Sequence, residues 1–188
     1  MIEHFINYIL NKWGIKYSYK EILTHWNEPH RYYHSQTHLD ELLSSITKDM
    51  GSYYSTRTYE KLIIIALFHD IIYEPGREDN ELKSAEFFMS KCTNKTNNDI
   101  LLMRQAILDT KTHESKITLS LVFCRYDMSI VTKSFDELLI WENGIRKEYK
   151  VCDTLYKIGR LKFLRSLLGK HNNDENINKL IDWVKTNY

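Results

Sequence analysis

Apolar residues recur along this chain at the three-to-four-residue spacing of amphipathic helices. Ile2, Phe5, Ile6, Ile9, Leu10 and Trp13 form the first stripe, and Gly14 supplies a stop after it. SYKEILTHW, residues 18–26, opens with Ser18 and carries Glu21 three positions on. That is a capping box, in which the two side chains satisfy the free N–H groups of a helix start. THLDELLSSI places Leu39, Leu42, Leu43 and Ile46 on one side, and the polar stretch KDMGSYYSTR after it reads as a connection. YEKLIIIALFHDIIY, residues 59–73, has almost no polar face. Its β-branched residues would suit a buried strand, but its length predicts a buried helix, with Leu62, Ile65, Ala66, Phe68 and Ile72 in support.

Further helices are predicted over 77–92, with Leu82, Ala85 and Phe88 inward, and over 99–113, ending near His113. LVFCRYDMSI offers a short apolar run before Asp127. SFDELLIWENGIRKEY begins with a second capping box, Ser134 and Glu137, and 153–168 and 174–188 close the chain as helices. Only 2 prolines and 6 glycines interrupt the 188 residues, too few for the frequent turns of a sandwich or barrel. No repeat, linker or composition shift divides the chain. The reading is an all-α fold with one domain over 1–188.

Charge and cysteines narrow the class. With 26 basic and 25 acidic residues the formal net charge is +1, which gives no strong nucleic-acid signal. Cys92, Cys124 and Cys152 include no CxxC pair, which fits a reducing compartment. The N-terminal stretch carries Glu3, His4, Asn7 and Lys12, so an amphipathic helix is expected there and not a secretory signal. No apolar run reaches the ~18 residues of a membrane span. The expectation is a cytoplasmic protein, in host cytoplasm if the source is viral.

The apolar helix carries His69 and Asp70 where burial is predicted, and unpartnered polar groups there would cost several kcal/mol. A neutral imidazole beside a carboxylate suits a divalent cation of borderline hardness, while a satisfied core histidine and a capping aspartate fit equally. His34 and His38 are four apart and would share one helix face, as two metal-site residues or as two surface histidines. His113 at a helix end fits a metal site or a favourable place near a helix dipole. Asp127 is a buried carboxylate that needs a reason, an N-cap being one. In chain order these make a set: HxxxH, HD within an apolar helix, a later His, then an isolated Asp.

That order resembles the HD superfamily of metal-dependent phosphohydrolases, and in particular a small family of predicted HD phosphohydrolases. The matching segments are RYYHSQTHL at 31–39, FHDIIYEPGREDNELKSA at 68–85, TKTH at 110–113, DMSI at 127–130 and IRKEY at 145–149. The resemblance covers about residues 25–150, leaving C-terminal helices over about 151–188. It implies an all-helical bundle with the metal held between helices by His38, His69, Asp70 and Asp127. The segment YHSQTH is similar to one in class I cyclic-nucleotide phosphodiesterases, which makes His34 the candidate general acid. His113 resembles a second-metal or phosphate ligand. The chain departs from the family at Arg125, where an acidic residue is usual, and at Val131 or Thr132, where a glycine is.

The implied activity is hydrolysis of a phosphomonoester, phosphodiester or phosphoanhydride of a nucleotide or similar small molecule, by water activated at Mn, Fe, Co, Zn or Mg. Asp70 could bridge two metals and Glu81 could orient the water. Arg31, Lys83, Lys111 and Arg146 are candidates for phosphate, or ordinary surface charges, and Asn80 is a further substrate-binding candidate. Tyr33, Tyr73 and Tyr149 could stack on a base or belong to the core. Two other readings keep the fold. One is a di-iron HD oxygenase, which needs more ligands than the spare His4, His25, His30 and His171 readily supply. The other is a non-catalytic HD module that binds nucleotides or partners.

Overall fold

The computed structural model describes residues 2–51 and 53–188. Among these it contains ten α-helices, one 3-10 turn and no strand. The chain divides into two units, Met1–Asp127 and Met128–Tyr188.

In the first unit α1 spans Ile2–Lys12, α2 Tyr19–Trp26, α3 Gln36–Lys48, α4 Thr56–Phe68, α5 Asn80–Lys91, α6 Asn98–Asp109 and α7 Thr118–Asp127. α4 is the axis and packs against α3, α5, α6 and α7. Every residue from Leu62 to Phe68 is buried, as expected of a helix with apolar side chains all round. At its outer end Glu60 is buried, but Lys12 Nζ and Trp13 Nε1 donate to its two oxygens at 2.6 and 2.8 Å, so it is not left unpaired. The Ser18–Glu21 capping box forms at the start of α2. Gly14 ends α1 at φ +67°, where a side chain would also collide with Thr93 Oγ1.

The second unit holds a 3-10 turn over Met128–Thr132, α8 over Phe135–Glu148, α9 over Asp153–Leu167 and α10 over Asp174–Asn187. α8 and α9 both pack on α10. The predicted Ser134–Glu137 capping box opens α8. Arg146 and Tyr149 belong to this unit, so the boundary falls inside the stretch 25–150 that carries the matched motifs.

Four local expectations are corrected. The apolar helix read as running to residue 73 stops at Phe68, with His69 as its cap. His34 lies before α3 begins at Gln36, so His34 and His38 do not share a helix face. The helix expected to end near His113 stops at Asp109, and His113 adopts the left-handed φ of +55°. Leu82, read as inward, is exposed, because α5 buries Asn80, Ser84, Ala85 and Phe88 instead. The run before Asp127 is the helix α7, whose last residue is Asp127 itself.

Candidate metal centre

The end of α4 decides the site. A helix leaves its last four carbonyls without helical partners. Here His69 N–H donates to Ile65 O and His69 Nδ1 to Ala66 O at 3.0 Å. Trp26 Nε1 takes Leu67 O at 3.1 Å, and Ile71 N–H closes on Phe68 O. Arg31 takes the carbonyls of Asp70 and Ile71, and Ser84 Oγ takes that of Ile72 while accepting its N–H. Side chains from α2, from the loop after it and from α5 thus capture a turn that the residues after Phe68 could have continued as helix.

This turn puts His69 into the space between helices. Its Nδ1 faces a carbonyl and is therefore a donor, so Nε2 is the ring atom directed inward, the atom a metal would take from the neutral ring. That Nε2 is buried and makes no hydrogen bond, although Asp70 Oδ2 is 3.2 Å and Asp127 Oδ1 3.5 Å away. Asp127 comes from the C-terminal end of α7. Its Oδ1 meets His38 Nε2 at 3.1 Å, and its Oδ2 meets His113 Nε2 at 2.9 Å. His38, His69 and Asp127 each offer a ligand atom within 4.8 Å of the others, a set that could hold a metal ion. Asp70 adjoins this trio through His69.

The electrostatics follow from burial. Burial pushes the His69 imidazole down, but Asp70 and Asp127 outweigh it and hold the ring well above its ordinary value. Burial pushes Asp70 and Asp127 up, but the His69 charge holds both below the usual carboxylate range, helped at Asp127 by the hydrogen bonds from His113 and His38. Two half-buried carboxylates facing three imidazoles thus attract positive charge. Two His and one Asp, with a second Asp adjacent, also suit a borderline divalent cation, so the residues fit the metal that the motif order implies.

The remaining site residues separate into groups. His34 stands beside the trio. Its ring centroid is 6.3 Å from that of His38 and 4.2 Å from that of Tyr73, and Tyr33 contacts both histidines. Glu81, in the first turn of α5, is raised by burial and by the nearby Asp70, while Lys111 and His113 oppose the shift. Asn80 is turned to other work: its carboxamide accepts from Glu74 N–H and donates to Glu74 O. Lys83 pairs with Glu86, Lys111 donates to Glu78 O, and Arg125 is exposed on α7. Arg146 in the second unit bonds Asp153 and the carbonyls of Tyr149 and Val151. Trp26 and Ser84 hold the His69–Asp70 turn without having been singled out in the sequence, since neither residue type marks a carbonyl clamp.

Comparison with protein-family models, with curated proteins and with solved structures finds no match.

Proposed function

We propose that the chain is a metal-dependent phosphohydrolase of the HD type, acting on a nucleotide or similar small phosphorylated molecule in the cytoplasm. The observation that carries this reading is the trio His38, His69 and Asp127, whose ligand atoms lie within 4.8 Å of one another, with the buried His69 Nε2 aimed at the carboxylates of Asp70 and Asp127. These three residues, with Asp70, would hold the cation. A divalent ion bound there supplies a water that ionises near neutral pH and a positive charge for the phosphoryl oxygens.

The chain's own residues supply the rest. His34, held against Tyr73, is the group that gives a proton to the leaving oxygen. Glu81, partly withdrawn from water, orients the attacking water by accepting its hydrogen bond. The resemblance implies the same ligand roles for His38, His69, Asp70 and Asp127 and the same proton-donor role for His34.

The test is a screen of chelator-stripped protein with Mn, Fe, Co, Mg and Zn against a panel of nucleotides and phosphoesters. Turnover that a chelator abolishes and added metal restores is expected. Absence of both bound metal and turnover across the panel overturns the reading. His34→Ala should lower kcat by about 10²–10⁴-fold, the usual range for a general acid, at unchanged metal content. Metal loss in that variant would make His34 a ligand instead.

A further inference from the structure

Arg31 is the one arginine in the first unit whose side chain is withdrawn from solvent at 0% exposure while its backbone belongs to no helix. Nη1 donates to His34 O at 3.1 Å and to Asp70 O at 2.8 Å, Nη2 donates to Ile71 O at 3.2 Å, and Nε donates to Glu28 Oε2 at 3.0 Å. The guanidinium carbon lies 5.5 Å from the Trp26 ring centre and 5.3 Å from that of Tyr73. The fork is thus committed to three backbone carbonyls and one carboxylate, between two aromatic rings. It is not directed at a substrate phosphate.

The three carbonyls belong to two segments. One carries His34, and the other is the turn of His69 and Asp70 beyond the negative end of α4, where a cation is favoured. We infer that Arg31 is a positioning residue: its planar fork fixes the spacing between the His34 turn and the His69–Asp70 turn, and so preorganises the metal centre and its proton donor together. This inference rests on the metal centre proposed above. A lysine would keep the charge but not the fork, because an ammonium cannot hold three carbonyls at fixed angles in one plane. Residues that orient ligands from behind in this way are worth about 10–100-fold in metal affinity.

The test uses the full chain, stripped with chelator and titrated with Co²⁺, whose visible spectrum reports its ligands, while circular dichroism confirms folding. Arg31→Ala is expected to weaken Co²⁺ binding by about 10–100-fold and to speed hydrogen exchange at the amides of Ile71 and Ile72. Millimolar guanidinium should restore binding, and methylammonium at the same concentration should not. Arg31→Lys should behave like Arg31→Ala and carries the test should the alanine variant fail to fold. Glu28→Gln, which spares the three carbonyl contacts, should bind Co²⁺ as the wild type does. Wild-type Co²⁺ affinity and exchange in both Arg31 variants overturns the inference, and so does a raised KM with unchanged metal affinity, the signature of a phosphate contact. Failure of the wild type itself to bind Co²⁺ counts against the metal centre. Exchange at Ile71 and Ile72 then still decides whether Arg31 holds the turn.

Discussion

Each unit buries a cluster of ionisable side chains, and the two clusters are solved differently. In the second unit Glu142 is fully buried, and both its oxygens are met, Oε2 by Arg160 Nε and Oε1 by Tyr156 O–H at 2.7 Å. The Arg160 guanidinium lies 4.1 Å from the centre of the Trp141 ring, and this cation–π contact faces a group whose Nη2 has no hydrogen bond. One anion meets one cation, so the charges cancel within the cluster. In the first unit two carboxylates meet three imidazoles, and His69 Nε2 is left with no hydrogen bond. His38, His69 and Asp127 of that cluster could hold a metal ion. The difference separates an ion pair whose charges cancel from a group of side chains that could hold a metal ion.

The comparison breaks most readily at Asp127. Asp127→Asn should abolish divalent metal binding, read by calorimetry or metal analysis, because the trio loses its only carboxylate. A variant that still binds one ion at wild-type affinity would show that the cluster is not the site. Next in size, Glu142→Ala should destabilise the second unit by about 3–5 kcal/mol in urea unfolding, since Arg160 would remain as an uncompensated buried charge. A loss below ~1 kcal/mol, the level of an exposed pair, would mean that the second unit's cluster contributes little.

The smallest expected effect is on pH dependence, and it sharpens the contrast. His69 is raised, so its contribution to the metal-free protein is complete below the unfolded value of ~6.5 and is lost as pH rises through its folded value. Asp70 and Asp127 are lowered, so theirs is present above about pH 4 and is lost as pH falls through their folded values. Without metal, stability from the first unit's cluster should therefore be greatest between about pH 4 and 6.5. A metal needs the neutral ring, so the rise in Tm on adding metal should grow with pH across that upper limit. Thermal melts with and without chelator check this, and a metal increment independent of pH would remove the proton–metal competition at His69.

Much of the helical scaffold was legible because its signals are local. Ser18 with Glu21 and Ser134 with Glu137 cap the helices that they announce, and the apolar run of α4 is buried as its pattern required. His69 and Asp127 stood out as polar residues beside apolar runs, and His38 only through the motif order. The end of α4 was not legible. Nothing in HDIIY stops a helix, and the turn exists because Trp26, Arg31 and Ser84 reach its carbonyls from elsewhere. Arg31 illustrates the limit most sharply: guanidinium suits phosphate and carbonyl oxygens alike, so only its neighbours distinguish the two.

The sequence by itself determined the all-α class, the core of α4 and the candidates for a metal site, because periodicity, caps and side-chain chemistry are properties of the chain. Tertiary structure decided which donors converge. His38, His69 and Asp127 come from three different segments, and their spacing depends on where α4 stops and on the turns that flank α3 and α7. Those turns are set by hydrogen bonds between residues far apart in the chain, which no local pattern encodes.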